Sequence, residues 1–144
     1  PVLEAVLSDQ GGERSGLAEV MRGWLEEGAS VDEAIARYHE LRESAEATRY
    51  DFGEHQLNAV GYELLGQERF DEALKLFRLN VVEHETAWNP WDSLGEALVT
   101  AGRTEEAVEA YARSVELNPA SRTGQAALRR LRRELAAGGA EGTR

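Results

Sequence analysis

The sequence predicts an all-α protein: antiparallel helix pairs, about seven helices in all, stacked into a superhelix and closed by a C-terminal capping helix. Three observations lead there. One 34-residue stretch can be laid over the next without a gap. Within each stretch, apolar residues recur at helical spacing in two blocks separated by a short breaker. And 3 prolines in 144 residues are too few for a turn-rich all-β chain, while 42% apolar and 30% charged residues suit one packed domain.

The repeat occupies 54–87 and 88–121. Leu57 falls on Trp91, Val60 on Leu94, Gly61 on Gly95, Leu64 on Leu98, Ala73 on Ala107 and Phe77 on Tyr111. In the second copy Trp91, Leu94, Leu98 and Val99 mark one helix, which Ala101-Gly102-Arg103 interrupts. Thr104 is placed to cap the next helix, and Glu105 and Glu106 favour the positive end of its dipole. Val108, Tyr111, Ala112 and Val115 form the apolar stripe of that helix. Asn118-Pro119 ends it, because the residue before proline avoids helical angles. Gly95 with Ala107, and Gly61 with Ala73, are small where the two helices of a pair cross closely. Phe77 and Tyr111 are expected to fill the space between neighbouring pairs.

The flanks are read by the same rules. Residues 15–53 form a degenerate pair: Leu17, Val20, Met21, Trp24 and Leu25 line its first helix, and Gly28 closes it. Val31, Ala34, Ile35 and Tyr38 then mirror Phe70, Ala73, Leu74 and Phe77 at a shift of 39 rather than 34. The extra residues lengthen the second helix or the loop around Ala47–Gly53. Residues 122–137, with Leu128, Leu131 and Leu135 on one face and Arg129, Arg130, Arg132 and Arg133 beside them, make the capping helix. Residues 138–144 are expected to be a disordered tail, and 1–14 an N-terminal segment and linker.

Charge and chemistry exclude several functions. The net charge is −11, and residues 122–144 carry a local +4 against −15 elsewhere. A surface this acidic repels phosphate backbones, which argues against nucleic acid. No apolar run is long enough for a membrane span and no targeting segment is visible, so the cytoplasm is favoured. Without cysteine there is no thiolate chemistry and no Cys-based zinc site. The one lysine, Lys75, has Glu72 three residues before it, so a Ser-x-x-Lys nucleophile cannot exist. Gly-x-Ser-x-Gly and phosphate-loop motifs are absent too. His39, His55 and His84 are dispersed, and the neighbours Glu83, His84 and Glu85 point in different directions on a helix. No enzyme, metal or cofactor is expected.

Trp91, Leu94, Gly95, Leu98, Ala107, Tyr111 and Pro119 resemble the signature of the tetratricopeptide-repeat (TPR) family. Leu57, Gly61, Leu64, Ala73 and Phe77 match it in the first copy. Ser114 departs mildly from the family's alanine, and Asn80 and Glu85 depart at the alanine and proline positions. Longer segments, GASVDEAIARYHELR, YDFGEHQLNAVGYELL, FRLNV and WDSLGEAL, are similar to the helical C-terminal extension of some bacterial β-lactamase-like serine hydrolases. That similarity implies an accessory module following a catalytic domain, with Pro1–Leu7 the last scrap of it.

The TPR resemblance implies a groove lined by the first helix of each pair. Carried over by register, its partner-binding residues are His55, Asn58 and Tyr62 from one copy and Asn89, Asp92, Ser93 and Glu96 from the next. Some family members clamp a peptide carboxylate with basic residues, but Asn58, Thr123 and Ala127 hold those positions here. Asp92 and Glu96 instead make one part of the groove acidic, which suits a basic or polar guest. The expected function is a non-catalytic protein-protein interaction module that binds a protein or peptide as part of a larger protein. Two alternatives stand beside it: self-association as a homodimer through the charge asymmetry, and a regulatory appendage of a hydrolase.

Overall fold

A computed structural model describes residues 13–142, with side chains to 139. The expected N-terminal segment therefore lies almost wholly outside the described residues. The chain divides into two compact units, Pro1–Gln56 and Leu57–Arg144.

In the first unit, strand β1 (Ser15–Gly16) leads into helices α1 (Leu17–Glu26) and α2 (Val31–Glu43), a 3-10 turn (Ala45–Arg49) and strand β2 (Tyr50–Asp51). The two strands pair in parallel, Ser15 opposite Tyr50 and Gly16 opposite Asp51. The residues that stretch this pair's spacing thus form the 3-10 turn and β2, and α2 is not lengthened. Leu17, Met21, Val31, Ala34 and Tyr38 are buried. Tyr38 packs edge-on against Phe52 at 5.5 Å, and the Arg42 guanidinium lies 5.0 Å above the same ring. Ser30 starts α2 with a reciprocal capping box, its Oγ accepting from Glu33 N while Glu33 Oε2 accepts from Ser30 N.

A polar clasp replaces a cap at the start of α1, where Gly16 supplies no side chain. The Gln56 Oε1 accepts from the buried Ala18 N–H at 2.9 Å, and Gln56 Nε2 donates to Asp51 Oδ2 at 2.9 Å. One side chain thereby satisfies an orphan amide of α1 and fixes the end of β2. A β-carbon on Gly16 would stand 3.0 Å from that Gln56 oxygen, so a side chain there would press on the clasp.

Helix α3 (Glu54–Gly66) begins in the first unit and carries its remaining residues into the second. There α4 (Phe70–Glu83), α5 (Trp88–Thr100), α6 (Thr104–Leu117) and α7 (Arg122–Gly142) follow, and α4 packs on α5, α5 on α6, and α6 on α7. The two glycines carry the packing. A β-carbon on Gly61 would lie 2.9 Å from the Phe77 ring, and one on Gly95 would lie 2.8 Å from the Tyr111 ring. Each aromatic therefore sits on the glycine of its own helix pair. Phe77 is fully buried, and burying such a side chain contributes about 1.5–3 kcal/mol. On the surface, Arg78 meets Glu106 at 2.7 Å and Arg103 meets Asp71 at 3.0 Å, which tie the two repeats together side by side.

All three helix pairs turn in the same way. Gly28, Glu68 and Gly102 each follow their helix by two residues and have φ of 102°, 60° and 77°. The next amide in each turn bonds back to a last-turn carbonyl: Ala29 to Trp24, Arg69 to Leu64, Arg103 to Leu98. This is the Schellman arrangement, in which a left-handed residue satisfies the orphan carbonyls. Glu68 stands where the other two turns use glycine.

Two boundaries differ from the sequence reading. Thr104 lies inside α6, and Arg103 occupies the N-cap with no side-chain bond, because the Schellman turn already fixes the entry. Helix α7 runs through the expected capping segment and on to Gly142, so residues 138–142 are helical rather than a disordered tail. Ala136 and Ala137 favour helix and no proline intervenes, so two glycines at about 1 kcal/mol each do not stop propagation.

Candidate functional site

The helix register sets what α3 and α5 present together. Tyr62 and Glu96 are 34 residues apart, hence at the same place in successive repeats, and the Tyr62 hydroxyl donates to Glu96 Oε2 at 2.7 Å. Ser93, one turn earlier on α5, is buried and also hydrogen-bonds the Tyr62 phenol. The Tyr62 ring stands edge-on against Phe77 at 5.1 Å, which anchors it to α4. Burial, with the nearby carboxylates, pushes the Tyr62 hydroxyl far above the usual phenol range, so it remains a donor at every working pH.

Asp92 lies half-buried one turn before Glu96. Burial first, and then the like charge of Glu96, raise its carboxyl above the usual range. Its Oδ1 faces the first turn of α7, 3.6 Å from where a β-carbon on Gly124 would stand. That helix end supplies partial positive charge. No side-chain cation pairs with Asp92 among the described residues. Tyr111 belongs to this cluster too: burial and the fields of Asp92 and Glu96 push its phenol up to about 12, while Arg130 pulls the other way. The pattern had placed Tyr111 in the core only; the hydroxyl that distinguishes it from Phe77 was the available signal.

Tyr62, Asp92, Ser93 and Glu96 therefore come together. Asn58 and Asn89 lie half-buried on the same two helices. They share no hydrogen bond with the cluster, and the buried Asn58 Oδ1 has no partner among the described residues. His55 belongs to the first unit, where its ring lies 3.2 Å from Asp51 Oδ2 and 2.9 Å from Gln56 Nε2. Asp51 also accepts from Gly53 N at 2.8 Å, and this bond, more than the Gln56 and His55 contacts, holds its carboxyl below the usual range. Among the described residues no group of three metal-ligating side chains assembles, and no helix is long and apolar enough to cross a membrane.

The chain matches no protein-family model and no curated protein. It does match solved structures. The first TPR of Spaghetti (RPAP3), bound to the HSP90 peptide SRMEEVD, superposes with a TM-score of 0.56 at 22% identity, over 83% of this chain and 90% of that one. MamA from AMB-1 gives 0.54 at 18%, and a MamA point mutant 0.56 at 15%, each over 83% of this chain. Those matches span 62% and 63% of the MamA chains, a little under two thirds of their length. At such identities the likeness establishes the fold, a TPR-type array of helix pairs.

Proposed function

We propose that this TPR-type array is a non-catalytic interaction module whose α3–α5 face binds an extended segment of another protein. The observation that carries the reading is the Tyr62–Glu96 rung, which sets two successive first helices in register, with Asn58, Asn89 and Asp92 half-buried on the same two helices. A similar array bound to the peptide SRMEEVD supports peptide capture as the kind of function. An extended chain brings backbone donors and acceptors, and the amides and carboxylates of this face complement them.

Panning a random peptide library against the folded protein tests the reading. Selected peptides should crosslink to benzoylphenylalanine substituted for Tyr62 and not to the same group substituted for Glu109 on α6. Tyr62→Ala should weaken them about tenfold, about 1.4 kcal/mol. Crosslinking at position 109 alone would move the interface elsewhere and end the proposal.

A further inference from the structure

We infer that the α3–α5 face selects a segment of a partner protein that carries arginine or lysine. This rests on the peptide-binding reading above and adds the charge of the guest. Helices α3 and α5 hold Glu54, Glu63, Asp92 and Glu96, and neither a lysine nor an arginine; His55 is the one basic side chain on them. The bases of the same repeats, Arg69, Lys75, Arg78, Arg103 and Arg113, lie in turns or on α4 and α6. Four of them are already paired, with Glu72, Glu106, Asp71 and Glu116 respectively for Arg69, Arg78, Arg103 and Arg113. The lysine and arginines of the repeats thus lie off α3 and α5, while carboxylates stand on all four helices; within the second unit α3 and α5 offer Glu63, Asp92 and Glu96.

The local geometry sharpens this. Glu96 accepts a hydrogen bond from the Tyr62 hydroxyl, Asp92 pairs with no side-chain cation among the described residues, and the two carboxylates repel one another one turn apart. Arg130, whose field reaches Tyr111, lies 3.9 Å from Glu134 on its own helix. A guest guanidinium or ammonium would relieve the repulsion and form charge-assisted hydrogen bonds to a half-desolvated carboxylate. A net-acidic guest such as SRMEEVD, whose three side-chain carboxylates outnumber its one arginine, would bring an excess of like charge to the same place.

Fluorescence anisotropy with two labelled heptapeptides decides the matter, one amidated with three arginines spaced by serine and glycine, the other SRMEEVD. The arginine peptide should bind at least about tenfold tighter. Asp92→Asn combined with Glu96→Gln should abolish that preference, whereas Glu105→Gln combined with Glu109→Gln on the exposed face of α6 should change affinity less than about twofold. The first pair is isosteric and removes a repulsion, and circular dichroism should show it folded. Equal loss in both doubles would mean unspecific attraction to an acidic protein and would overturn the inference. Tighter binding of SRMEEVD, lost in Tyr62→Ala, would overturn the charge selection while leaving the peptide-binding face intact. No binding of either peptide, with none recovered from the library, would remove both. Light scattering closes the remaining route: a dimer lost in both Asp92→Asn and Arg129→Gln would make the occupant a second copy of this chain, which also overturns the inference.

Discussion

The first helix pair and the two full repeats solve one packing problem by different means. In the repeats, the crossing of paired helices is set by volume: Phe77 lies on Gly61 and Tyr111 on Gly95, with no room for a methyl group at either glycine. In the first unit, the order of elements is set by polar bonds, with Gln56 joining the Ala18 amide to Asp51 and a two-residue parallel ladder beside it. Gly23 of α1, which is not the counterpart of Gly61 or Gly95, lies in the open, since a β-carbon there would meet nothing within 4 Å. Close packing tolerates chemical change of similar shape and punishes change of size. A hydrogen-bond clasp does the reverse.

The largest test of the contrast is Phe77→Ala, which should cost about 3–5 kcal/mol in urea unfolding through the cavity it leaves over Gly61. Next, Gly95→Ala should destabilise by about 1–3 kcal/mol, because the new methyl meets the Tyr111 ring. Gly23→Ala, by contrast, should stabilise α1 by about 0.5–1 kcal/mol. Opposite signs for the same substitution would separate the two designs; equal signs would erase the distinction. Gln56→Leu keeps size but orphans the Ala18 amide, so a loss of about 1–3 kcal/mol is expected, with faster hydrogen exchange at that amide.

The smallest effect is in pH, and its sign differs between the units. Asp51 has a lowered folded pKa, so its contribution is full above the ordinary carboxylate value and is lost as pH falls through the lowered one. Asp92 has a raised folded pKa, so the folded state binds its proton more tightly and stability rises as pH falls through that raised value. The groups that face Asp92 are Glu96 on its own helix, Tyr62 on α3, Tyr111 on α6 and the first turn of α7. Asp92→Asn should therefore flatten the acid side of the stability profile in one direction and Asp51→Asn in the other, followed by carboxyl NMR titration.

What was legible follows from these physical differences. Helical spacing and the breaker turns are local or periodic, and they located the seven helices and the small residues Gly61 and Gly95; the seat of Phe77 and Tyr111 on those glycines lies across two helices and is not read from spacing. The clasp was not legible, because Ala18 and Gln56 are 38 residues apart and a lone glutamine carries no pattern. The Schellman turns explain why Thr104 was misread: a threonine before two glutamates looks like a cap, but the turn had already been fixed by Gly102. On the candidate site, the register assigned Tyr62 and Glu96 to one groove, whereas their hydrogen bond and the part of Tyr111 depended on packing that no spacing reveals.

Arg129 sits on α7 at the position that Gly61 and Gly95 hold in the repeats, counted in steps of 34. Its side chain is exposed where those glycines receive an aromatic ring. In a molecule assembled from copies of one unit, such a residue acts as punctuation. It leaves α7 able to close against α6 but without the seat on which another second helix would rest its ring. Returning that position to glycine would restore the seat, and it is where an effort to add a further unit would begin.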